Sequence, residues 1–190
     1  MSKISIDNSS FNVIKKYYDE ILNTDKSAYK STNDEPTPID CITEMITKIP
    51  NELWRKKDLS ILDPCCGNGN FSVPIIFELL KYHDKKKILE EILEFNDITE
   101  SRLENVRSVF CSEKYNLQIT NNDFITFNTT KKYDLIVANP PYAKLLENGK
   151  RASKNHNLIK DFIEKALSQL KPNGYLLFIT PDNWMSYADR

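Results

Sequence analysis

The chain has 190 residues, enough for one domain with a sizeable hydrophobic core, and its formal net charge is −1. Proteins that hold duplex nucleic acid usually carry a basic excess, so either nucleic acid is not the substrate or the main contact surface lies outside this chain. The four cysteines lack CxxC spacing and no apolar stretch reaches bilayer length, so we expect no metal, no membrane contact and a reducing, cytoplasmic compartment.

Apolar periodicity and turn residues predict helices that alternate with strands along the chain. The predicted helices are 10–23, 39–49, 71–82, 99–110 and 157–170, with a short helical insertion at 85–91. The predicted strands are 59–62, 92–95, 117–120, 134–138 and 175–180. Thr37 is predicted to cap the second helix with Pro38 in its first turn, and Arg102 is predicted to face outward. Residues 171–174 read as a turn that leads into the last strand.

This alternation predicts an α/β fold with a doubly wound, parallel sheet. Ligands of such sheets bind beyond the carboxyl ends of the strands, at the point where the strand order reverses. We expect residues 1–36 to form an N-terminal helical extension and residues 37–190 to form a catalytic domain that is incomplete at its C-terminus.

The segment Asn139-Pro140-Pro141-Tyr142 directly follows the buried strand 134–138. Because each proline restricts the residue before it, the carbonyl of Pro140 and the side chain of Asn139 are held in fixed directions. Two rigid acceptors beside an aromatic ring suit the binding of an NH2 group on a planar substrate. The alternative is a tight loop without a ligand.

A second loop, residues 63–71, follows the first predicted strand and leads into a helix. Gly67 and Gly69 allow the backbone to approach a ligand closely, and the helix start supplies free N–H donors. The segment lacks the third glycine of a dinucleotide loop and begins with Asp63, which disfavours a pyrophosphate and favours a cation. S-adenosylmethionine, which carries an ammonium and a sulfonium, fits this loop better.

Two further acidic residues lie at strand ends. Asp97 ends the second predicted strand, where a carboxylate can accept from both ribose hydroxyls, and Ile98 beside it can cover a purine. Asp123 follows the third strand and can accept from an exocyclic amine, with Phe124 against the ring. A helix cap or a solvated turn is the alternative role of each acid.

Taken together, these segments resemble the N6-adenine-specific DNA methyltransferases of type II restriction–modification systems. Residues 63–71 are similar to that family's Asp-Pro-x-Cys-Gly-x-Gly-x-Phe loop, and residues 139–142 to its Asn-Pro-Pro-Tyr motif. Thr37-Pro38 resembles its N-terminal Thr-Pro element, and residues 178–181 with Trp184 resemble a later strand-and-turn element.

The resemblance implies a Rossmann-like methyltransferase fold and DNA as the partner, with a target adenine flipped out of the duplex. It implies that Asn139 and Pro140 accept the two N–H groups of the adenine amine, while Pro141 stiffens the loop and Tyr142 stacks on the base. It also implies that S-adenosylmethionine is the methyl donor. The cofactor-binding residues it implies are Thr37, Asp63, Pro64, Cys65, Gly67, Gly69, Asp97, Ile98, Asp123 and Phe124.

The motif order implies target recognition C-terminal to the catalytic segment, so we expect a separate recognition domain or subunit. Two alternatives remain. The first is methylation of another planar NH2 group, on a protein glutamine or an RNA base, although the Asp63-Pro64-Cys65-Cys66 sequence favours DNA. The second is a non-catalytic fragment or subunit that needs a partner for DNA binding.

Overall fold

The computed structural model describes residues 4–24, 35–142 and 158–180. The helices are α1 (Phe11–Tyr17), α2 (Ile39–Ile46), α3 (Asn51–Trp54), α4 (Ser72–Leu79), α5 (Lys85–Lys87), α6 (Glu100–Val109) and α7 (Leu158–Gln169), with π-helical turns at Tyr18–Leu22 and Ile88–Ile92. The strands are β1 (Ile61–Asp63), β2 (Leu93–Asn96), β3 (Gln118–Thr120), β4 (Tyr133–Ala138) and β5 (Leu170–Phe178). Within these ranges, every helix is too short or too polar to cross a membrane.

The five described strands form one parallel sheet in the order β3-β2-β1-β4-β5. This confirms the predicted doubly wound sheet. The chain runs from β1 outward to β3, then crosses to the other side of β1 for β4 and β5. The strand order therefore reverses between β1 and β4, and the carboxyl ends of these two neighbours flank the position where such sheets bind ligands.

Side chains of successive strand residues point to opposite faces of the sheet, which gives the protein two cores. Ile61 and Leu135 lie in the larger core, which also contains buried residues of α1, α2, α4 and α6. Leu62 and Ile136 lie in the smaller core on the other face, with Phe162 of α7. Strands covered on both faces read as nearly continuous apolar runs, as residues 135–138 of β4 do.

The N-terminal segment 4–24 packs into the larger core. Ile6, Ile14 and Tyr18 are buried there. The predicted helix 10–23 is present as α1 followed directly by the π-helical turn Tyr18–Leu22. This turn lies beside the loop after β1, where Tyr18 contacts Asn68; π-helical turns are frequent at functional sites.

Three local predictions were wrong: two concern the side chains of Thr37 and Arg102, and one concerns the segment 171–174. Thr37 does not cap α2, because Pro38 occupies the N-cap position and the Thr37 hydroxyl instead accepts a hydrogen bond from Asn139. Arg102 does not face outward: it is 9% exposed, because its spacing to Val106 and Val109 places it on the buried face of α6.

The segment 171–174 is not a separate turn, because it lies inside β5. Tyr133 pairs with Leu170, but Leu135 pairs with Tyr175, so β5 has three more residues than β4 between these pairs. Asn173 has a positive φ of 62° within this bulge. The bulge lies at the start of β5, so the carboxyl ends of β4 and β5 remain in regular register.

Asp7 ties the N-terminal segment to distant parts of the fold. Its carboxylate accepts hydrogen bonds from Lys114, from the Tyr115 hydroxyl at 2.7 Å and from Lys85 at 3.1 Å. The Lys114 bond, helped by the other two, outweighs partial burial and lowers the pKa of Asp7 from 3.8 to about 2.

We expect Asp7→Asn to lower stability near pH 7 by up to about 1 kcal/mol, because solvent screens a partly exposed ion pair. A depressed folded-state pKa stabilises the protein above the unfolded-state value of 3.8, and this contribution is lost as the pH falls toward 2. Thermal unfolding across this pH range tests the prediction, with Glu113→Gln as an exposed control. If Asp7→Asn lowered the unfolding temperature as much near pH 2 as near pH 7, the prediction would be wrong.

Candidate cofactor and active site

The loops after β1 and β4 lie side by side at the strand-order reversal. Asp63 is the last residue of β1, and Asn139 directly follows β4. The Cys65 thiol lies 3.7 Å from the Asn139 carbonyl oxygen and joins the two loops. Both predicted motifs thus occupy one edge of the sheet, where a shared ligand can contact them.

An open cleft of about 400 Å3, which includes solvent-filled space, lies at this edge. Four predicted site residues line it: Thr37, Cys65, Gly67 and Asn139. Lining residues that the sequence reasoning left out include Asn68, Asn70 and Arg102. The helical spacing of Arg102 with Val106 and Val109 was the sequence signal that would have placed it inward.

The loop after β1 is shaped by two glycines with positive φ, Gly67 at 54° and Gly69 at 87°. A Cβ added to Gly67 would meet no atom within 4 Å, so this glycine borders open space. A Cβ added to Gly69 would lie 2.6 Å from the Phe110 ring. Gly69 therefore allows the loop to pack against α6, while Gly67 leaves room on the cleft side.

Asp63 lies beneath this loop rather than on the cleft wall. It is 2% exposed, and neither of its carboxylate oxygens has a hydrogen-bonding partner. Burial, with the nearby Asp97 carboxylate, raises the pKa of Asp63 well above its usual range, and the backbone of Cys65, which does not meet the geometry of a hydrogen bond, offsets this only in part. A buried acid without hydrogen bonds is costly to the fold, which points to a role other than stability.

Asp97 organises the loop in this structure. One of its carboxylate oxygens accepts from the Gly67 amide at 2.8 Å, and the other accepts from the Thr99 amide at 2.8 Å. Asp97 is itself buried. The carboxylate at the end of β2 therefore fixes both the glycine loop and the start of α6.

The side chain of Asn139 is held on both sides. Its Nδ2 donates to the Thr37 hydroxyl at 3.2 Å and to the Glu35 carbonyl at 3.4 Å. The Tyr142 hydroxyl donates to its Oδ1 at 2.8 Å. Because a backbone carbonyl only accepts, Glu35 fixes which end of the amide is the nitrogen, and Oδ1 must face Tyr142.

The remaining predicted site residues lie around this centre. Pro64 and Pro140 are buried and Pro141 is exposed, while the carbonyl of Pro64 accepts from Asn96 at 2.8 Å. Ile98 is 66% exposed. Asp123 is exposed and accepts from the Ile125 amide at 3.0 Å, which is a turn contact, and Phe124 is buried against Phe162. None of these six predicted site residues lines the cleft: Pro64, Pro140, Pro141, Ile98, Asp123 and Phe124.

We expect Asp63→Asn to leave the unfolding temperature unchanged or to raise it, while the binding of S-adenosylmethionine, the ligand that the sequence predicts, weakens by about tenfold or more. The variant removes a buried carboxyl group that the fold does not satisfy, and with it the group that would become negatively charged beneath a cationic ligand. Thermal unfolding and calorimetry measure the two effects. A clear loss of stability would identify Asp63 as a structural residue; Asp58→Asn, in the exposed loop before β1, is the control.

The sheet order, the glycine loop after β1 and the motif after β4 define the fold of S-adenosylmethionine-dependent methyltransferases. A solved structure from Listeria monocytogenes, assigned as a class I S-adenosylmethionine-dependent methyltransferase, superposes with a TM-score of 0.68 and 21% sequence identity. The match covers 96% of this chain and 57% of that one.

The sequence model of the Eco57I restriction-modification methylases matches residues 38–190, and the chain belongs to that family. Among curated relatives, the type II methyltransferase M.VspI from Vibrio sp. (strain 343) is 29% identical over 168 residues, covering 80% of this chain and 38% of the relative. The type II methyltransferase M.HincII from Haemophilus influenzae is 28% identical over 158 residues, covering 76% of this chain and 27% of the relative. The chain thus matches about a quarter to two-fifths of the length of these relatives.

Proposed function

We propose that this chain carries the catalytic segment of a DNA methyltransferase, which transfers a methyl group from S-adenosylmethionine to N6 of adenine in a restriction–modification system. The observation that carries the proposal is the shared cleft between the Gly67 loop and the Asn139 loop. Membership of the Eco57I family supports the reaction class. Recognition of a DNA sequence belongs, in this proposal, to a further domain or subunit, in keeping with the net charge of −1.

The residues present fit S-adenosylmethionine. Asp63 supplies a buried carboxyl group without a hydrogen-bonding partner beneath the loop, and a cationic ligand would favour its ionised form. Gly67 leaves space where any other residue would place a side chain, and Thr37 and Asn70 border the same cleft. When bound, the cofactor supplies an electrophilic methyl group on a sulfonium.

Asn139 is the residue best placed to hold the acceptor amine. Its Oδ1 is fixed in direction by the contacts of Nδ2 with Thr37 and Glu35, so it is a preorganised acceptor. An N–H that donates to Oδ1, and a second that donates to the Pro140 carbonyl, draw the amine nitrogen out of conjugation with the ring. Holding the amine in one position beside the cleft supplies much of the rate enhancement.

Tyr142 has to change partners when a base enters. In this structure its hydroxyl donates to Asn139 Oδ1, the acceptor that the proposal assigns to the substrate amine. Release of that hydrogen bond frees Oδ1 and leaves the ring available to stack on the base, a contact worth roughly 1–3 kcal/mol. The Tyr142 hydroxyl thus keeps the acceptor satisfied until a base replaces it.

Transfer of labelled methyl groups tests the proposal directly. The chain is incubated with labelled S-adenosylmethionine and, in parallel, DNA, RNA or a release-factor protein, and the label in each acceptor is counted. We expect label in DNA, and nucleoside analysis to place it in N6-methyladenine. Label confined to RNA or protein would replace DNA as the substrate, and a chain that does not bind S-adenosylmethionine would contradict the proposed activity.

Cofactor binding is expected to strengthen as the pH rises from the usual titration range of a carboxylic acid toward neutrality, below the titration of the cofactor's own α-amino group. Burial raises the pKa of Asp63 in the free protein, whereas a cationic ligand favours its ionised form, so binding releases a proton. Calorimetry in buffers of different ionisation enthalpy measures that proton. Asp63→Asn should remove the pH dependence; proton uptake by the unaltered chain would contradict the prediction.

A further inference from the structure

We infer that Tyr18, which precedes the matched family region, positions the cofactor loop through Asn68, an inference that rests on the proposed function. Asn68 lies between the two glycines of the loop and lines the cleft. Tyr18 begins the π-helical turn Tyr18–Leu22. The family match begins at residue 38, so this support comes from a part of the chain that the match does not include.

The contact between the two residues is direct and buried. The Tyr18 hydroxyl donates to the backbone carbonyl of Asn68 at 2.8 Å. Tyr18 is fully buried and Asn68 is 4% exposed, so water does not compete for this bond. The Tyr18 oxygen also lies 3.5 Å from the position of a Cβ on Gly69 and thus forms part of the wall behind the loop.

Two further contacts hold the Asn68 side chain. Its Nδ2 donates to the carbonyl of Leu22, at the end of the same π-helical turn, at 3.5 Å. Its Oδ1 accepts from Asn105 of α6 at 3.0 Å. The N-terminal segment and α6 therefore hold Asn68 from two sides.

These contacts fix the backbone where the loop faces the cleft. The Gly69 amide donates to the Cys66 carbonyl at 2.8 Å and closes the turn, while Asp97 holds the Gly67 amide. Without Tyr18, the Asn68 carbonyl would be a buried acceptor that has lost its tyrosine donor, and the peptide would be free to reorient. A loop that already has its binding conformation loses little conformational entropy when the cofactor binds.

Calorimetric titration with S-adenosylmethionine, well below the unfolding temperature, tests this role of Tyr18. Tyr18→Phe removes only the hydroxyl, and we expect binding to weaken about five- to tenfold. The matched control is Tyr17→Phe, which removes a hydroxyl from the neighbouring ring that packs edge-on against Tyr18. We expect the control to bind as the unaltered chain does. In the transfer assay, Tyr18→Phe should raise KM for the cofactor and leave kcat near its original value.

A second variant, Asn105→Ala, removes the hydrogen bond that α6 makes to the side chain of Asn68. Asn105→Ala should also weaken binding, and the double variant should lose less than the product of the two single losses, because both act through Asn68. If Tyr18→Phe fails to fold, Asn105→Ala alone decides. If the folded Tyr18→Phe and Asn105→Ala variants bind S-adenosylmethionine as tightly as Tyr17→Phe does, the role of Tyr18 is wrong but the proposed function stands. If the unaltered chain does not bind S-adenosylmethionine, the proposed function is wrong as well.

Discussion

Asn139→Ala is expected to lower the rate of methyl transfer by about 10²–10³-fold, the usual cost of removing one preorganised polar contact to a reacting group. Cofactor affinity and unfolding temperature should stay close to those of the unaltered chain. The reason is that the side chain is half-buried at the cleft, and the Tyr142 hydroxyl that it binds is only partly buried and can turn to water. Counting of labelled methyl groups in DNA gives the rate.

Two further variants sharpen this result. Asn139→Asp keeps an acceptor oxygen but loses the donor to the Glu35 carbonyl, so we expect a smaller loss of rate than for Asn139→Ala. Asn116→Ala removes an exposed asparagine from the loop before β3 and should leave the rate unchanged. Full transfer by Asn139→Ala would show that the amine is held by other groups.

Gly69→Ala is expected to destabilise the fold by roughly 2–5 kcal/mol, since two costs combine at this position. The positive φ of 87° strains any residue with a Cβ, and that Cβ would lie 2.6 Å from the Phe110 ring. Phe110 is fully buried and stacks on Phe95, so the ring has little room to move. Urea unfolding followed by circular dichroism measures the loss.

Gly67→Ala is the matched control, two residues away in the same loop. It has a positive φ of 54°, but an added Cβ meets nothing within 4 Å, so the backbone cost of about 1–2 kcal/mol stands alone. The prediction is therefore a larger loss at Gly69 than at Gly67. If both variants lost the same free energy of unfolding, the contact with Phe110 would make no contribution to the cost at Gly69.

Much of the architecture followed from the sequence, because local pattern and topology agree. The apolar run of β4 and the alternation of helices with strands predicted a parallel sheet. Since the carboxyl ends of parallel strands lie at one edge, the motifs after β1 and β4 were expected to meet, and the Cys65–Asn139 contact confirms that they do. The predicted roles of the individual site residues remain proposals.

What the sequence did not provide depends on contacts between distant residues. Tyr18 and Asn68 are 50 positions apart, and no local pattern pairs them. Thr37 looked like a helix cap because threonine before proline commonly is one, but a hydrogen bond from Asn139, 102 residues away, takes its hydroxyl instead. Arg102 is buried, against the prediction that it faces outward, because its spacing to the valines of α6 places it on the buried face. Pro181 and Trp184, part of the predicted strand-and-turn element, lie outside the described residues.

A crystal structure of the chain with S-adenosylmethionine tests the shared cleft most directly, because it needs neither turnover nor a recognition domain. We expect the amino-acid end of the ligand to lie near Asp63 and the donor methyl group to point toward Oδ1 of Asn139. A ligand bound away from this edge of the sheet, or one whose methyl group points away from Asn139, would contradict it.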